Sequence, residues 1–180
     1  MLILLSYLLT VGLFSLSIRP ASVDDISSIV EIRLGALTEE EVAGFAIPGD
    51  SLYLSVEKLR EVWDKENKFM GSFEVFVAEH EGRVVGFIVV NMNNCDDNID
   101  NIVVAKEEQG KGIGRALVRH VEKLAKSRGF CVLKTDTTEN AKGVPWIAYS
   151  FWKKIGYKDT GERIRTAYGF KVIPLIKHLK

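Results

Sequence analysis

Apolar residues recur at two different periods along this chain, and each change of period marks an element. Residues 73–79 alternate apolar and polar, as a half-buried strand does, and residues 84–92 form a second apolar run. Glu81-Gly82-Arg83 between them reads as a tight turn, so the pair predicts an antiparallel hairpin. After a polar turn at 93–98, residues 99–104 predict a third strand. The period then lengthens. Ile113, Ala116, Leu117, Val121 and Leu124 fall on one face of a helix running from about Gly112 to Arg128 and ended by Gly129. Residues 130–135 predict a buried strand, which makes the strand, helix and strand a βαβ-type unit. A last helix starts at Val144 or Pro145 and ends at Lys154, and residues 157–162 and 168–173 predict a closing strand pair.

Ahead of the hairpin the signals are weaker. Residues 17–21 predict a short strand stopped by Pro20. Residues 22–25 can cap a helix with apolar positions Ile26, Ile29, Val30 and Leu34. Residues 35–53 read as irregular and 54–69 as helical, with Leu54, Leu59, Val62 and Trp63 on one side. There is no repeat or linker. The pattern predicts a single α/β domain of the α+β type over 17–180, with a mixed, mostly antiparallel central sheet flanked by helices. Residues 1–16 are a separate question: Leu-rich and uncharged, they sit at the short limit for a membrane span and lack the basic start of a signal peptide. They read as an apolar extension, and membrane contact is expected only through them, if anywhere.

Charge narrows the function classes. Lys plus Arg and Asp plus Glu number 24 each, so no global field draws nucleic acid or an anionic membrane. Cys95 and Cys131 are far apart, which favours a reducing, cytoplasmic setting. His80, His120 and His178 are scattered and form no metal motif, so no metal is expected.

The chemistry concentrates where the third strand meets its helix. In Gln109-Gly110-Lys111-Gly112-Ile113-Gly114-Arg115, three glycines alternate at a helix start. Glycine permits positive φ and close backbone approach. The first N–H groups of a helix have no internal partner and stand at the positive end of its dipole, which suits phosphate. Lys111 and Arg115 add charge. A dinucleotide fingerprint needs G-x-G-x-x-G, and here Arg115 holds the last glycine's place. The G-x-x-x-x-G-K-[ST] loop of nucleotide hydrolases is absent.

This segment resembles the central [QR]-x-x-G-x-[GA] motif of the GCN5-related N-acetyltransferase (GNAT) superfamily, with Gln109, Gly112 and Gly114 at its fixed positions. The predicted order of elements from Ile18 onward resembles that family too, which implies a GNAT-like domain using acetyl-CoA as cosubstrate. By that resemblance the main chain of Ile102, Val103 and Val104 would meet the pantetheine arm. The N–H groups of Gln109, Gly110, Lys111, Gly112, Ile113 and Gly114, with Arg115, would hold the pyrophosphate. A second family motif, N-x-x-A-x-x-[FY]-Y-x-K-x-G-[FY], is met by Ala148, Phe151, Lys154, Gly156 and Tyr157. Pro145 replaces its Asn, and Trp152 replaces the Tyr that often serves as general acid. Asn140 is then a substitute contact for the cofactor arm, with Trp152 beside it, and Tyr149 is the substitute acid.

Transfer to an amine needs the neutral nucleophile, whereas an alkyl amine with a pKa of about 10.4 arrives charged, so a base is required. Asp100 is the first choice, because alternation places it on the face of Ile102 and Val104; Asp136 is second. Direct transfer needs no cysteine nucleophile. The implied function is acetyl transfer from acetyl-CoA to an amine of a small molecule, peptide or protein; the alternative is a non-catalytic acyl-CoA sensor. No nucleic-acid partner is expected, and a homodimer is left open. In this family acceptor choice is set by the region between the first two helices and by the final hairpin, which here are residues 35–53 and 160–168.

Overall fold

The structure, a computed structural model, describes residues 16–36, 55–63, 73–92, 99–139, 143–165 and 171–180. The irregular stretch expected at 35–53 and the polar turn at 93–98 lie largely or wholly outside these residues, as do 1–15.

Two four-stranded sheets carry the fold. The first has the order β1-β2-β3-β4, from β1 (Ser17–Pro20), β2 (Phe73–His80), β3 (Arg83–Asn91) and β4 (Ile99–Val104), with every ladder antiparallel. In the second, β5 (Val132–Glu139) and β6 (Lys158–Asp159) flank β8 (Lys171–His178), and β7 (Ile164–Arg165) also pairs with β8. The strand pair expected at 157–162 and 168–173 is thus shorter on one side and longer on the other. The later strand sits between β5 and β6, where its apolar Ile173 and Leu175 are fully buried.

Side-chain alternation sorts the first sheet's residues onto two faces. Val75, Val77, Phe87, Val89 and Val103 pack against α1 (Ile26–Ala36) and α2 (Val56–Val62). Phe76, Ala78, Ile88 and Val90 pack against α3 (Ile113–Ser127). That second cluster continues through Leu133, Ile173 and Leu175 of the second sheet and Trp152 of α4 (Ile147–Lys154). Arg19 fixes the start of α1 on the sheet: its guanidinium donates to both Asp25 oxygens at 2.8 and 2.9 Å and to Glu79 at 3.0 Å. Burial alone would raise the Asp25 carboxyl; the Arg19 bonds and the Ser22 N–H outweigh it and hold the group below the ordinary carboxylate range.

Some local expectations shift. Leu34 is exposed, and Ile32 takes the buried place on α1. Helix α4 starts after Pro145, because Pro145 is engaged in a β-bridge with Glu139 and Trp146 occupies the helix cap. Strand β5 extends to Glu139, well past the expected end at 135. Among the described residues no helix is long and apolar enough to cross a membrane.

Leu117 lies at the centre of the α3 contact and is fully buried. Leu117→Ala should therefore cost about 2–5 kcal/mol by leaving a cavity against the first sheet. The urea unfolding midpoint measures it.

Candidate active site

Strand β4 is the outer strand of the first sheet, so only one of its edges is laddered. Ala105 N–H donates to the Val85 carbonyl at 2.9 Å. Bonded and non-bonded pairs alternate along an antiparallel ladder. With Gly86 opposite Val104, Phe87 opposite Val103 and Ile88 opposite Ile102, Val103 bonds inward to β3. Ile102 and Val104 turn their N–H and C=O groups to the outer edge. The three residues grouped together by sequence thus divide: two present main chain outward, and one serves the sheet.

The same edge contains an irregularity. Val90 pairs with Ile99 and Val89 with Asn101, so Asp100 is an extra residue with no opposite number, a β-bulge. This corrects the alternation that put Asp100 on the face of Ile102 and Val104. Ile99 and Ile102, three residues apart, both reach the α3-side core, and Asp100 is exposed between them.

Where β4 ends, a 3₁₀ turn at Lys106–Glu108 leads into the glycines. Gly110 and Gly112 have φ of +78° and +87°, in the left-handed region that disfavours other residues. A Cβ added at either would meet nothing within 4 Å, so the backbone there faces open space. The first helical bond runs from Ala116 N–H to Gly112 C=O at 3.0 Å, so the N–H groups of Ile113, Gly114 and Arg115 precede any intrahelical acceptor. Successive N–H groups in such a turn form a concavity that accepts an anion.

The side chains of the loop divide between anchoring and exposure. Gln109 Nε2 donates to the Val104 carbonyl at 3.1 Å, stapling the loop to the strand it leaves. Lys111 Nζ donates to Glu108 at 3.0 Å, and that bond with its charge holds the Glu108 carboxyl below its ordinary range. Lys111, expected to contact the phosphates, is therefore turned back onto its own loop. Arg115 is exposed in the first turn of α3 and forms no ion pair with the described residues. Gly114 serves packing: a Cβ there would lie 3.3 Å from the Phe151 ring and 3.7 Å from Val104 Cγ2. The glycine lets α4 close on the loop.

Helix α4 does not bring the other candidates to this edge in the same way. Trp152 is buried in the core, stacked edge-on with Phe151 and Tyr157 at 5.1 and 4.9 Å. Tyr149 leaves the helix roughly 200° from Phe151, and its hydroxyl donates to Asp159 at 3.0 Å. That bond raises the tyrosine's pKa. Asn140 lies outside the described residues, and Asp136 is exposed on β5.

A polar network at the far end of the second sheet was not foreseen. Arg163 grips both Asp159 oxygens at 3.0 and 2.9 Å, and Gly161 N–H adds a 2.8 Å bond. With the Arg163 bonds as the main cause, Asp159 is held at about 2. Buried Glu139 accepts Lys171 at 2.9 Å and approaches Arg163 at 3.5 Å. The signal lay in parity: Thr135, Thr137 and Glu139 continue the buried face of Leu133. Polar residue types hid it.

An outward-facing strand edge thus runs into a glycine-rich helix start whose first N–H groups precede any intrahelical acceptor, an arrangement that can accept an extended anionic ligand. The family model for the acetyltransferase (GNAT) domain matches residues 71–159, so that segment of the chain belongs to the GNAT superfamily. An uncharacterized N-acetyltransferase of Methanocaldococcus jannaschii is 33% identical over 86 residues, 47% of this chain and 52% of that one. The peptidyl-lysine N-acetyltransferase YjaB of Escherichia coli is 29% identical over 110 residues, 61% of this chain and 66% of its own. The matches thus span about half to two thirds of these curated relatives. The PaiA N-acetyltransferase of Thermoplasma acidophilum, solved in complex with coenzyme A, shares the fold at a TM-score of 0.66, with 20% identity, covering 89% of this chain and 98% of that one.

The Asp159 network should show in acid stability. Its carboxyl ionises below the unfolded value of 3.8, so its contribution is complete above that value and is lost as pH falls toward about 2. Melting temperatures of the wild type and Asp159→Asn should differ most at neutral pH and converge through this window.

Proposed function

We propose that this protein transfers an acetyl group from acetyl-CoA directly to a primary amine. The observation that carries this reading is the continuous line from the outward main chain of Ile102 and Val104 to the N–H cradle of Gly110–Gly114. An extended arm can bond along the first, and a pyrophosphate can bind in the second. Acetyl-CoA supplies an acetyl group already activated as a thioester. The chain supplies position and polarity: the N–H groups on the β4 edge favour an oxygen that gains negative charge. Arg115 adds a cation beside the cradle, and Asp100, lifted out by the bulge, is the proposed base for the amine's proton.

For Tyr149 we propose the role its bonds describe. A hydroxyl committed to Asp159 on a face turned from the loop positions the β6–β7 turn and is not the proton donor. The acceptor class follows from the E. coli relative, a peptidyl-lysine N-acetyltransferase: an accessible lysine-type amine of a peptide or protein. We place the catalytic domain at 17–180, treat 1–16 as an apolar extension, and assign the enzyme to the cytoplasm.

The experiment combines thermal shift with acetyl-CoA, CoA, NAD and ATP and thiol release with a panel of amines. Stabilisation by acetyl-CoA, absent with NAD, together with amine-dependent CoA release is the expected result. Stabilisation without release would mark a sensor. Gly112→Val, forced into positive φ, should weaken CoA binding by about tenfold or more, measured by calorimetry. Asp100→Asn should lower kcat/KM by about a hundredfold, whereas Tyr149→Phe should keep kcat within about threefold; steady-state kinetics on both variants separate the two roles.

A further inference from the structure

The two sheets meet at β4 and β5, the outer strands of each, yet no ladder joins them. The Thr135 side chain bridges the junction. Thr135, only 4% exposed, donates its hydroxyl to the Ile99 carbonyl at 3.0 Å. Valine would fill the same volume. A buried hydroxyl is costly without a partner, and this one takes the main-chain carbonyl that opens the Asp100 bulge. Because the peptide group is planar, fixing the Ile99 carbonyl also fixes the N–H of Asp100 within the same unit. Three residues further, Ile102 begins the outward edge.

We propose that Thr135 is a positioning residue: its hydroxyl sets the point at which the two sheets part, and thereby places the Asp100 bulge relative to the Ile102–Val104 edge. This inference rests on the acetyltransferase reading. The anion cradle lies at the other end of β4, so Thr135 governs the reacting end of the site and leaves cofactor affinity to the loop. Geometric errors of about 1 Å at a reacting centre lower turnover by up to about a hundredfold.

The test compares Thr135→Val, which removes the hydroxyl at constant volume, with Thr135→Ser, which keeps it. Both are made in the full chain and assayed with acetyl-CoA and the amine that releases most CoA with the wild type. For Thr135→Val, kcat should fall about tenfold or more, while the calorimetric Kd for CoA stays within about threefold. Thr135→Ser should keep at least about half of wild-type kcat. Wild-type kcat in a folded Thr135→Val, or a loss that Ser does not restore, overturns the proposal. So does a parallel loss of kcat and CoA affinity. If Thr135→Val does not fold, Thr135→Ala takes its place under the same criteria. If the wild type releases no CoA with any amine, the acetyltransferase reading itself fails. Amide exchange then decides the geometric claim: faster exchange at Val103, whose N–H bonds inward to β3, in Val than in Ser supports it, and equal exchange overturns it.

Discussion

A strand laddered on one edge leaves alternate N–H and C=O groups without a strand partner, and buried main chain seldom tolerates that. In this protein β4 carries such an edge beside the junction of two sheets. Much of the remaining architecture manages this one constraint. Thr135 takes the Ile99 carbonyl at the near end, and Gln109 takes the Val104 carbonyl at the far end. Between them Ile102 keeps both its outward groups, and Val104 its N–H, clear of any strand ladder. Side chains at both ends anchor the strand, so its middle can stay open without fraying.

The second sheet answers a different problem. Its β5 face turns from apolar Leu133 to Thr135, Thr137 and Glu139, all buried. A buried carboxylate requires compensation, and Glu139 obtains it from Lys171 and Arg163. Arg163 in turn binds Asp159, which takes the Tyr149 hydroxyl. These residues come from β5, β6, the β6–β7 turn, α4 and β8, so the network ties the short strands to their neighbours. It also commits the Tyr149 hydroxyl to Asp159.

The order of elements was legible because it rests on local periodicity. Strand β4 matches its expected bounds, and the glycine loop was legible for a related reason: spacing alone separates it from the nucleotide motifs. What stayed hidden depends on contacts distant in sequence. Nothing local to Asp100 signals a bulge, since the extra residue is defined only by its register against β3. Lys111 reads as a phosphate ligand until Glu108, three residues back, is seen to be buried and to need a cation. Trp152 reads as a replacement for a catalytic tyrosine, whereas the packing of Phe151 and Tyr157 makes it part of the core.

The place of β8 has a consequence for how the protein is made. It lies between β5 and β6, both of which precede it in the chain. During synthesis the first sheet and α3 can assemble from sequence already available, because their contacts close early. Neither β5 nor β6 has its ladder partner until Lys171–His178 has been translated and released from the ribosome. Until then the nascent chain carries two strand edges open to pairing with other chains. Folding of the second sheet thus waits for β8, the strand that both β5 and β6 require.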